Sequence, residues 1–401
     1  MNGVKRADGP ERVYLNHAGI LCSLGSGISS VADSLFSPSD TQCFLRQSRA
    51  YSTDVKLPVG EITEPLDEVS LPQENTRNNR VLTTAITPLL AQIEMFKKRY
   101  GSCRIGVVIG TSTSGISDGE FALGHRHKFG ELPKDYHYRK QEISSPSRYV
   151  ANWLGLKGPA FSVSSACTSG AKALASAARL LRLGACDVVI AGGVDTLCHM
   201  TIKGFSSLAV TTTSVCKPFS VNRNGINIGE GAGIFIMTKE PSSVCLAGWG
   251  ETSDAYHISS PQPDGFGAEA AMRKALAHAG VKACDIDYLN FHGTATEQND
   301  RMEANAVSRV FGSEIACGST KALTGHTLAA AGAIEAVFCW LALQRDDGAL
   351  PYHRWDGHYD RALPPLNNIG VMRLVGYLKS AMSNSFAFGG NNVSLVLAKK
   401  I

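Results

Sequence analysis

Three residues that can do chemistry share one kind of setting: Cys167, His292 and His326 each follow a strand-like run and lie among glycine, serine and threonine. A thiolate can accept an acyl group from a thioester, and two neutral imidazoles can donate hydrogen bonds to a developing enolate oxygen. One thiol and two imidazoles therefore suit acyl transfer with carbon–carbon bond formation. A single cysteine or histidine is more often a packing residue, so the prediction depends on all three meeting at one site.

Cys167 lies at a predicted junction between a strand and a helix. Residues 161–165 alternate as a strand does, and the Ala/Leu-rich residues 171–181 favour a helix. The serine, threonine and glycine between them suit a sharp bend and a capped first turn. Free N–H groups and the helix dipole at such a position favour a thiolate and a neighbouring oxyanion. We therefore expect Cys167 to be a nucleophile.

The two histidines are predicted to lie in loops at the carboxyl ends of strands, where α/β sheets build their sites. His292 lies in Phe291-His292-Gly293-Thr294-Ala295-Thr296, and His326 ends the run from Ser319 to His326. A cysteine hydrolase would need one histidine with an orienting Asn or Asp, which leaves the second histidine unexplained. The pair thus favours condensation over hydrolysis.

Composition excludes several classes of function. The 401 residues are 44% hydrophobic and 18% charged, with a formal net charge of +4 and no arginine-rich tract, which argues against nucleic-acid binding and still allows an acidic protein partner. The most apolar run, 329–343, carries Glu335 and is shorter than a membrane span. The eleven cysteines include no C-x-x-C pair, which argues against zinc or a disulfide framework. With no secretion signal visible, we expect a cytoplasmic protein without a metal.

The chain reads as two halves of alternating strands and helices, which predicts an α/β fold. We expect a flexible tail over residues 1–11, an N-terminal half over 12–242 that carries Cys167, and a C-terminal half over 243–401 that carries both histidines. In each half a polar turn opens an alanine-rich helix, which suggests an internal duplication.

The sequence resembles the β-ketoacyl-acyl carrier protein synthases of the elongating class, condensing enzymes of the thiolase superfamily. The resemblance covers nearly the whole chain, from about Arg12 to Ile401. It is carried by four motifs: Ser165-Ala166-Cys167-Thr168-Ser169-Gly170, Phe291-His292-Gly293-Thr294-Ala295-Thr296, Lys321 with Thr324-Gly325-His326, and Asn384-Ser385-Phe386-Ala387-Phe388-Gly389-Gly390-Asn391-Asn392.

This resemblance implies a thiolase-like fold of two duplicated α/β halves, packed as α-β-α-β-α layers. It implies that Cys167 is the acylated nucleophile and that His292 and His326 support decarboxylation and condensation. Lys321 and Glu303 would form a charged pair that organises the site near the histidines.

The resemblance also implies a gate. Phe388 would be the gating aromatic residue, and its backbone N–H would join that of Cys167 in an oxyanion hole, with Gly389 and Gly390 absorbing backbone rotation. Without the family, the phenylalanines near this gate would be assigned to the core. The supporting residues of the site would be Thr294, Thr296 and Phe386.

Several positions depart from the family pattern. Ala387 stands where glycine is usual, and Thr113 and Phe205 stand at the acyl pocket, so we expect an unusual primer, such as a polyene or an aromatic chain. Ala209 stands where a basic residue for carrier-protein docking is expected. The remaining docking candidates are Arg77, Arg80 and Lys203.

The predicted reaction is a decarboxylative Claisen condensation between the acyl group on Cys167 and a malonyl unit on acyl carrier protein. Both substrates would arrive on the phosphopantetheine arm of the carrier, so no cofactor is expected on the enzyme. We expect a homodimer, or a heterodimer with a chain-length-factor-like ketosynthase. The alternatives are a non-catalytic chain-length-factor-type subunit, which typically lacks the cysteine, and a degradative thiolase, which needs a second catalytic cysteine. The pathway, fatty acid or specialised polyketide, stays open.

Overall fold

The computed structural model describes residues 12–36, 42–52, 55–374 and 376–399, so the tail predicted over residues 1–11 lies outside it. The strands are β1 Val13–Cys22, β2 Gly25–Ser26, β3 Arg46–Ser48, β4 Leu57–Val59, β5 Ile105–Gly110, β6 Ala160–Val163, β7 Val188–Asp195, β8 Gly231–Thr238, β9 Val244–Ser253, β10 Tyr288–Asn290, β11 Ala316–Gly318, β12 Ser380–Ala387 and β13 Asn391–Lys399. The helices are α1 Ile28–Phe36, α2 Arg77–Ile86, α3 Leu90–Tyr100, α4 Ile116–Phe129, α5 Ser145–Leu154, α6 Ser169–Arg182, α7 His199–Ser207, α8 Phe266–Ala279, α9 Glu297–Phe311, α10 Lys321–Thr324 and α11 Ala331–Gln344.

The two halves repeat one strand order. The N-terminal half runs β6-β5-β7-β8-β1 and the C-terminal half runs β11-β10-β12-β13-β9. In each half the first three strands are parallel and the last two pair antiparallel. The halves join where β1 pairs with β9, through Val13 opposite Leu246. The predicted duplication of α/β halves is therefore confirmed.

The helices complete five layers. α6 packs on β5 and β7, α11 packs on β8 and β12, and the two helices touch each other between the halves. α2 and α5 cover the outer face of the N-terminal half, whereas α8, with α9 against it, covers that of the C-terminal half. The layering is α-β-α-β-α, as predicted.

Residue types explain why α6 and α11 occupy the middle layer. Every residue of α11 from Ala331 to Leu343 is buried, and a helix that is apolar on all sides must be covered on all sides. Close approach requires small residues: a Cβ on Gly170 would lie 2.7 Å from the carbonyl oxygen of Ala329. Glycine at residue 170 lets the two central helices meet.

The fold brings three strand ends together. Cys167 follows β6, His292 follows β10 and His326 follows β11, so the two halves send their carboxyl strand ends to one region. Among the described residues, no helix has the length and apolar character needed to cross a membrane.

Candidate active site

Cys167 lies in a tight elbow between β6 and α6. Ala166 has a positive φ of 50°, and the Ser169 hydroxyl donates to the Ala166 carbonyl oxygen at 2.6 Å and accepts the Ser165 N–H at 2.8 Å. These bonds hold a strained bend that a run of alanines could not stabilise. Cys167 itself is 6% exposed. The predicted strand–turn–helix setting is present.

His326 points at the thiol. Its Nε2 lies 3.0 Å from Cys167 Sγ, and its Nδ1 accepts the backbone N–H of Leu328 at 3.2 Å. Because Nδ1 is the acceptor, the neutral ring carries its proton on Nε2. His326 therefore directs an N–H donor toward Cys167 and the space beside it.

His292 completes the cluster. Its ring lies 5.2 Å from that of His326, centroid to centroid, at an interplanar angle of 82°. Ligand atoms of Cys167, His292 and His326 all lie within 4.8 Å of one another, and all three residues are buried. The structure thus brings together the three residues that the sequence singled out.

The charged groups around His292 differ from the expected pairing. Lys321 does not pair with Glu303: its ammonium group pairs with Glu335 on α11 and donates to the His292 carbonyl oxygen at 2.7 Å. The Glu303 carboxylate instead accepts the backbone N–H groups of His292 at 2.9 Å and of Gly293 at 2.8 Å. Both oxygens of Glu303 are used in this way, and the buried acid that pairs with Lys321 is Glu335. Lys321 and Glu303 still act on the same loop, holding the carbonyl and N–H sides of His292.

Burial sets the electrostatics of the site. It lowers the pKa of His292 and of His326 well below the usual value, with a further contribution from the positive charge of Lys321. Burial therefore favours the neutral form of both imidazoles, which is the form that the predicted chemistry requires. Burial also raises the pKa of Cys167 to about 12, against the opposing effect of Lys321. The resting thiolate expected from the helix dipole is not favoured, because desolvation outweighs it.

Alkylation of Cys167 tests this thiol state. Because only the thiolate reacts and the pKa lies far above neutrality, the rate with iodoacetamide should rise about tenfold per pH unit from pH 7 to pH 9. Peptide mapping by mass spectrometry measures the rate at each cysteine, with the exposed Cys103 and Cys284 as internal references. A plateau near neutral pH would instead show a thiolate–imidazolium pair.

A cavity of about 470 Å³ opens onto the three residues. Phe205 and Phe388 form part of its wall, with ring centroids 5.5 Å apart, so the predicted pocket residue Phe205 meets the predicted gate. Thr294 and Thr296 also line it, with hydroxyl oxygens 3.0 Å apart. Phe386 lines it as well, with its ring 6.2 Å from that of His292. The cavity therefore joins an apolar wall, a polar strip and the thiol.

The predicted gate is a short turn after β12. Phe388–Gly390 forms one 3-10 turn, in which Gly389 and Gly390 have positive φ angles of 80° and 71°. Gly389 N–H donates to the Ile258 carbonyl oxygen, and the Gly390 carbonyl oxygen accepts the Asp254 N–H, both at 2.8 Å. Two backbone hydrogen bonds therefore fix this turn to the loop that contains Asp254 and Ile258.

Replacing Gly390 with alanine should slow turnover and destabilise the fold by about 1–3 kcal/mol, since the new Cβ would combine a left-handed backbone with a 3.0 Å contact to Asp254 Cβ. Gly124, inside α4 with nothing within 4 Å of a built Cβ, is the matched control. Gly124→Ala should stabilise by about 0.5–1 kcal/mol. Chemical unfolding of the chain alone compares the two variants, and steady-state rates are measured for Gly390→Ala. Equal behaviour of the two variants would contradict the gate.

Thr113 does not line this cavity. It is fully buried, and its hydroxyl donates to Asp195 at 2.8 Å and accepts the Thr196 N–H at 3.1 Å. The position expected at the acyl pocket is thus bonded to a carboxylate. The polar character of Thr113 explains this, since a buried hydroxyl requires partners.

Two of the three docking candidates are engaged within the protein. Arg77 pairs with the buried Glu230, and Arg80 donates to the Leu66 carbonyl oxygen at 3.3 Å. Lys203 on α7 is exposed and lies near the wall residue Phe205. Of the three docking candidates, Lys203 is the exposed one, whereas Arg77 and Arg80 are half-buried.

One group of side chains in the site has ligand atoms for a metal. A thiol and two imidazoles are ligands that zinc accepts, although structural zinc sites use four ligands. Separately, four buried side-chain oxygens on β10, α11 and β12 lack a hydrogen-bond partner among the described residues: Asn290 Oδ1, Glu335 Oε2, Ser383 Oγ and Ser385 Oγ. Such buried oxygens suit bonds to water.

Models of known families cover most of the chain. The model of the β-ketoacyl synthase N-terminal domain matches residues 20–242, and that of its C-terminal domain matches residues 244–352. The chain belongs to the β-ketoacyl synthase family. This membership confirms the resemblance and makes the protein a condensing enzyme of the acyltransferase type.

Relatives support this ketosynthase assignment. Nodulation protein E of Rhizobium meliloti is 33% identical over 351 residues, which are 81% of this chain and 85% of the relative. The 3-oxoacyl-[acyl-carrier-protein] synthase 2 of Rhizobium meliloti (strain 1021) is 38% identical over 73% of this chain and 74% of the relative. The solved complex of the ketosynthase ApeO with its chain length factor ApeC, from Xenorhabdus doucetiae, contains a chain that is 39% identical to this one. The match covers 97% of this chain and 98% of that chain, with a TM-score of 0.90.

Proposed function

We propose that this chain is the catalytic ketosynthase that condenses a Cys167-bound acyl group with malonyl-acyl carrier protein to give a β-ketoacyl-acyl carrier protein. The observation that carries the proposal is the buried thiol 3.0 Å from His326 Nε2, with His292 beside it on the same cavity. A non-catalytic chain-length-factor-type subunit would have no use for this arrangement.

The first step transfers the acyl group. Cys167 Sγ attacks the thioester carbonyl carbon, the carbon–sulfur bond to the carrier breaks, and the Cys167 proton ends on the carrier thiol. The N-terminus of α6 lies behind the thiol and stabilises negative charge as it develops on sulfur. Backbone N–H groups of Cys167 and Phe388 would receive the carbonyl oxygen. Because the pKa of the resting Cys167 thiol is high, we expect the negative charge on sulfur to develop only after the substrate has bound.

The second step releases carbon dioxide. The malonyl thioester loses its carboxylate as CO₂, and the enolate oxygen accepts the Nε2–H of His326 and an N–H of His292. The enolate carbon attacks the acyl carbon, the bond to Cys167 Sγ breaks, and the leaving thiolate takes up one proton from solvent water, which regenerates the thiol. Because both imidazoles are neutral, they stabilise the enolate without protonating it early.

The cavity accommodates the delivery of these substrates. Thr294 and Thr296 present hydroxyls that can bond the amides of a phosphopantetheine arm, and Phe388 lines the same cavity against Phe205. The chemistry needs no metal or nicotinamide, since the carrier brings both carbon units. We place the reaction in the cytoplasm, with residues 12–242 supplying the thiol and residues 243–401 supplying the imidazoles.

The partner subunit is proposed to be a second ketosynthase-type chain, and specifically a chain-length-factor-like one. β6 is the edge of the long sheet and carries Phe161, 38% exposed. Helix α4 also exposes large apolar side chains, Phe121, Leu123 and Phe129, each by 60% or more. A free edge strand and exposed aromatic side chains mark a subunit contact. The complex of ApeO with its chain length factor supports the heterodimer.

Phe161→Lys should weaken subunit association by tenfold or more, because a charge would be buried at the strand edge. Leu183→Lys, at a residue 80% exposed beyond α6, is the matched control and should leave association unchanged. Analytical ultracentrifugation of the chain, alone and with a co-expressed partner, gives the constants. Unchanged association of the Phe161 variant would place the contact elsewhere.

Mass spectrometry of the intact protein tests the proposed function. The protein is incubated with a panel of acyl-carrier proteins differing in chain length and unsaturation, and the adduct mass ranks the primers. Peptide mapping should place the adduct on Cys167. Addition of malonyl-carrier should then remove the adduct and yield a β-ketoacyl-carrier. No adduct with any primer would overturn the proposal.

A further inference from the structure

Asp195 is a buried carboxylate that the proposed chemistry does not use. It ends β7 in the N-terminal half and is fully buried. Its Oδ1 accepts the hydroxyls of Thr111 and Thr113 and the backbone N–H groups of Ser112 and Thr113, each at 2.8 Å. A buried carboxylate with four donors on one oxygen is well stabilised. Its second oxygen is therefore free to fix another part of the structure.

The second oxygen of Asp195 crosses to the other half. Its Oδ2 accepts the backbone N–H of Ala329 at 2.7 Å. Ala329 belongs to the 3-10 turn Leu328–Ala330 that leads into α11, directly after His326. Asp195 therefore links the Thr111–Thr113 turn of one half to the histidine loop of the other.

The turn held by Asp195 is strained. Leu328 has a φ of 51°, in the left-handed region that a bulky side chain avoids. The Leu328 N–H donates to His326 Nδ1 at 3.2 Å, and the left-handed φ of Leu328 then sets the direction of the next peptide. The peptide that follows Leu328 carries the N–H that Asp195 accepts, so the carboxylate secures the strained residue from its C-terminal side.

We propose that Asp195 is a positioning residue for His326: by holding Ala329 it keeps the Leu328 N–H on Nδ1, so that the ring proton stays on Nε2 and faces Cys167. The inference rests on the function proposed for His326. Without this support the turn would relax, Nδ1 would lose its donor, and the other tautomer would become populated. That tautomer presents a lone pair, where the enolate oxygen needs an N–H.

Asp195→Asn separates the two sides of the carboxylate. The amide has one oxygen, which the four donors at Oδ1 retain, so its NH₂ group faces the Ala329 N–H and two donors meet. In protein labelled with ¹⁵N-histidine, the wild-type His326 should show a protonated Nε2 and the variant a mixture of tautomers. In a Cys167→Gln background, malonyl decarboxylation should fall by roughly tenfold to a hundredfold, less than the loss of an oxyanion donor outright.

Two further variants distinguish positioning from general stability. Thr111→Val removes one Oδ1 bond and leaves Ala329 bonded, so it should lower stability without changing the tautomer signal. Leu328→Gly removes the cost of the left-handed φ and, added to Asp195→Asn, should restore part of the Nε2–H signal even if the single variant folds poorly.

A wild-type tautomer signal in Asp195→Asn, or an equal loss of signal in Thr111→Val, would overturn the inference. The tautomer readout does not require turnover. If wild-type protein neither took up an acyl group nor decarboxylated malonyl, the proposed function would fail while the spectra still tested Asp195.

Discussion

Cys167→Ala is expected to abolish acylation and to reduce condensation by on the order of 10³-fold or more, since Cys167 is the one thiol among the described residues that line the cavity. Cys167→Gln is expected to decarboxylate malonyl-carrier without condensing it. The glutamine amide resembles an acylated cysteine in size and polarity, while His292 and His326 remain in place to stabilise the enolate. Intact-protein mass spectrometry measures acylation, and release of labelled CO₂ measures decarboxylation.

Cys198→Ala is the matched control for these variants. Cys198 is also buried, at 1% exposed, but it bonds Thr201 at the start of α7 and does not line the cavity. It should acylate at the wild-type rate. Acylation retained in Cys167→Ala would remove the proposed mechanism, because the acyl group would then reside on another residue.

Breaking the ion pair of Lys321 and Glu335 should be the most destabilising change at the site. Both side chains are at most 3% exposed, so removing one partner leaves a buried charge uncompensated. The expected cost is about 3–5 kcal/mol for Glu335→Leu or Lys321→Met. Lys321→Met should also lower activity more, because the His292 carbonyl loses its donor at 2.7 Å.

The double variant Lys321→Met/Glu335→Leu separates stability from function. With both charges gone, it should recover most of the free energy of unfolding that either single variant loses, since an apolar pair is tolerated where half an ion pair is not. It should remain slow, because the loop of His292 is still unsupported. Urea unfolding with a double-mutant cycle provides the coupling energy. Single variants within 1 kcal/mol of wild type would contradict the pairing.

Local pattern and family resemblance together were enough to find the three central residues. Each is marked by a strand-like run, a turn-forming cluster and a family motif, and these signals are contained within a few consecutive residues. The duplicated halves could be anticipated for the same reason. The conformations of the elbow at Cys167 and of the His326 loop are determined largely by a few consecutive residues, so they can be predicted from those residues.

Partners across the fold could not be found in this way. Glu303 was expected to pair with Lys321, yet Glu335, 14 residues after Lys321, is the partner. One signal was present: Glu335 is the single charge in the apolar run 329–343, and a buried acid requires a cation. The pKa of Cys167 depends on the balance between burial, which raises it, and the helix dipole, which lowers it. That balance depends on how deeply the elbow is buried, which a local sequence pattern does not show. The ion pair of Arg77 with Glu230 could not be predicted either, because the two residues are far apart in the sequence and an arginine is usually exposed.

The way β9 is flanked has a consequence for protein engineering. Val13 at the start of β1 lies opposite Leu246, and Lys399 at the end of β13 lies opposite Val244 on the other side of the same strand. With strands about 4.8 Å apart and the partners Leu246 and Val244 two residues apart along β9, these two positions are separated by roughly 12 Å. A short linker could therefore join them, and new ends could be opened at the exposed Pro241. Such a circular permutant would exchange the order of thiol and imidazoles along the chain while retaining every strand pairing.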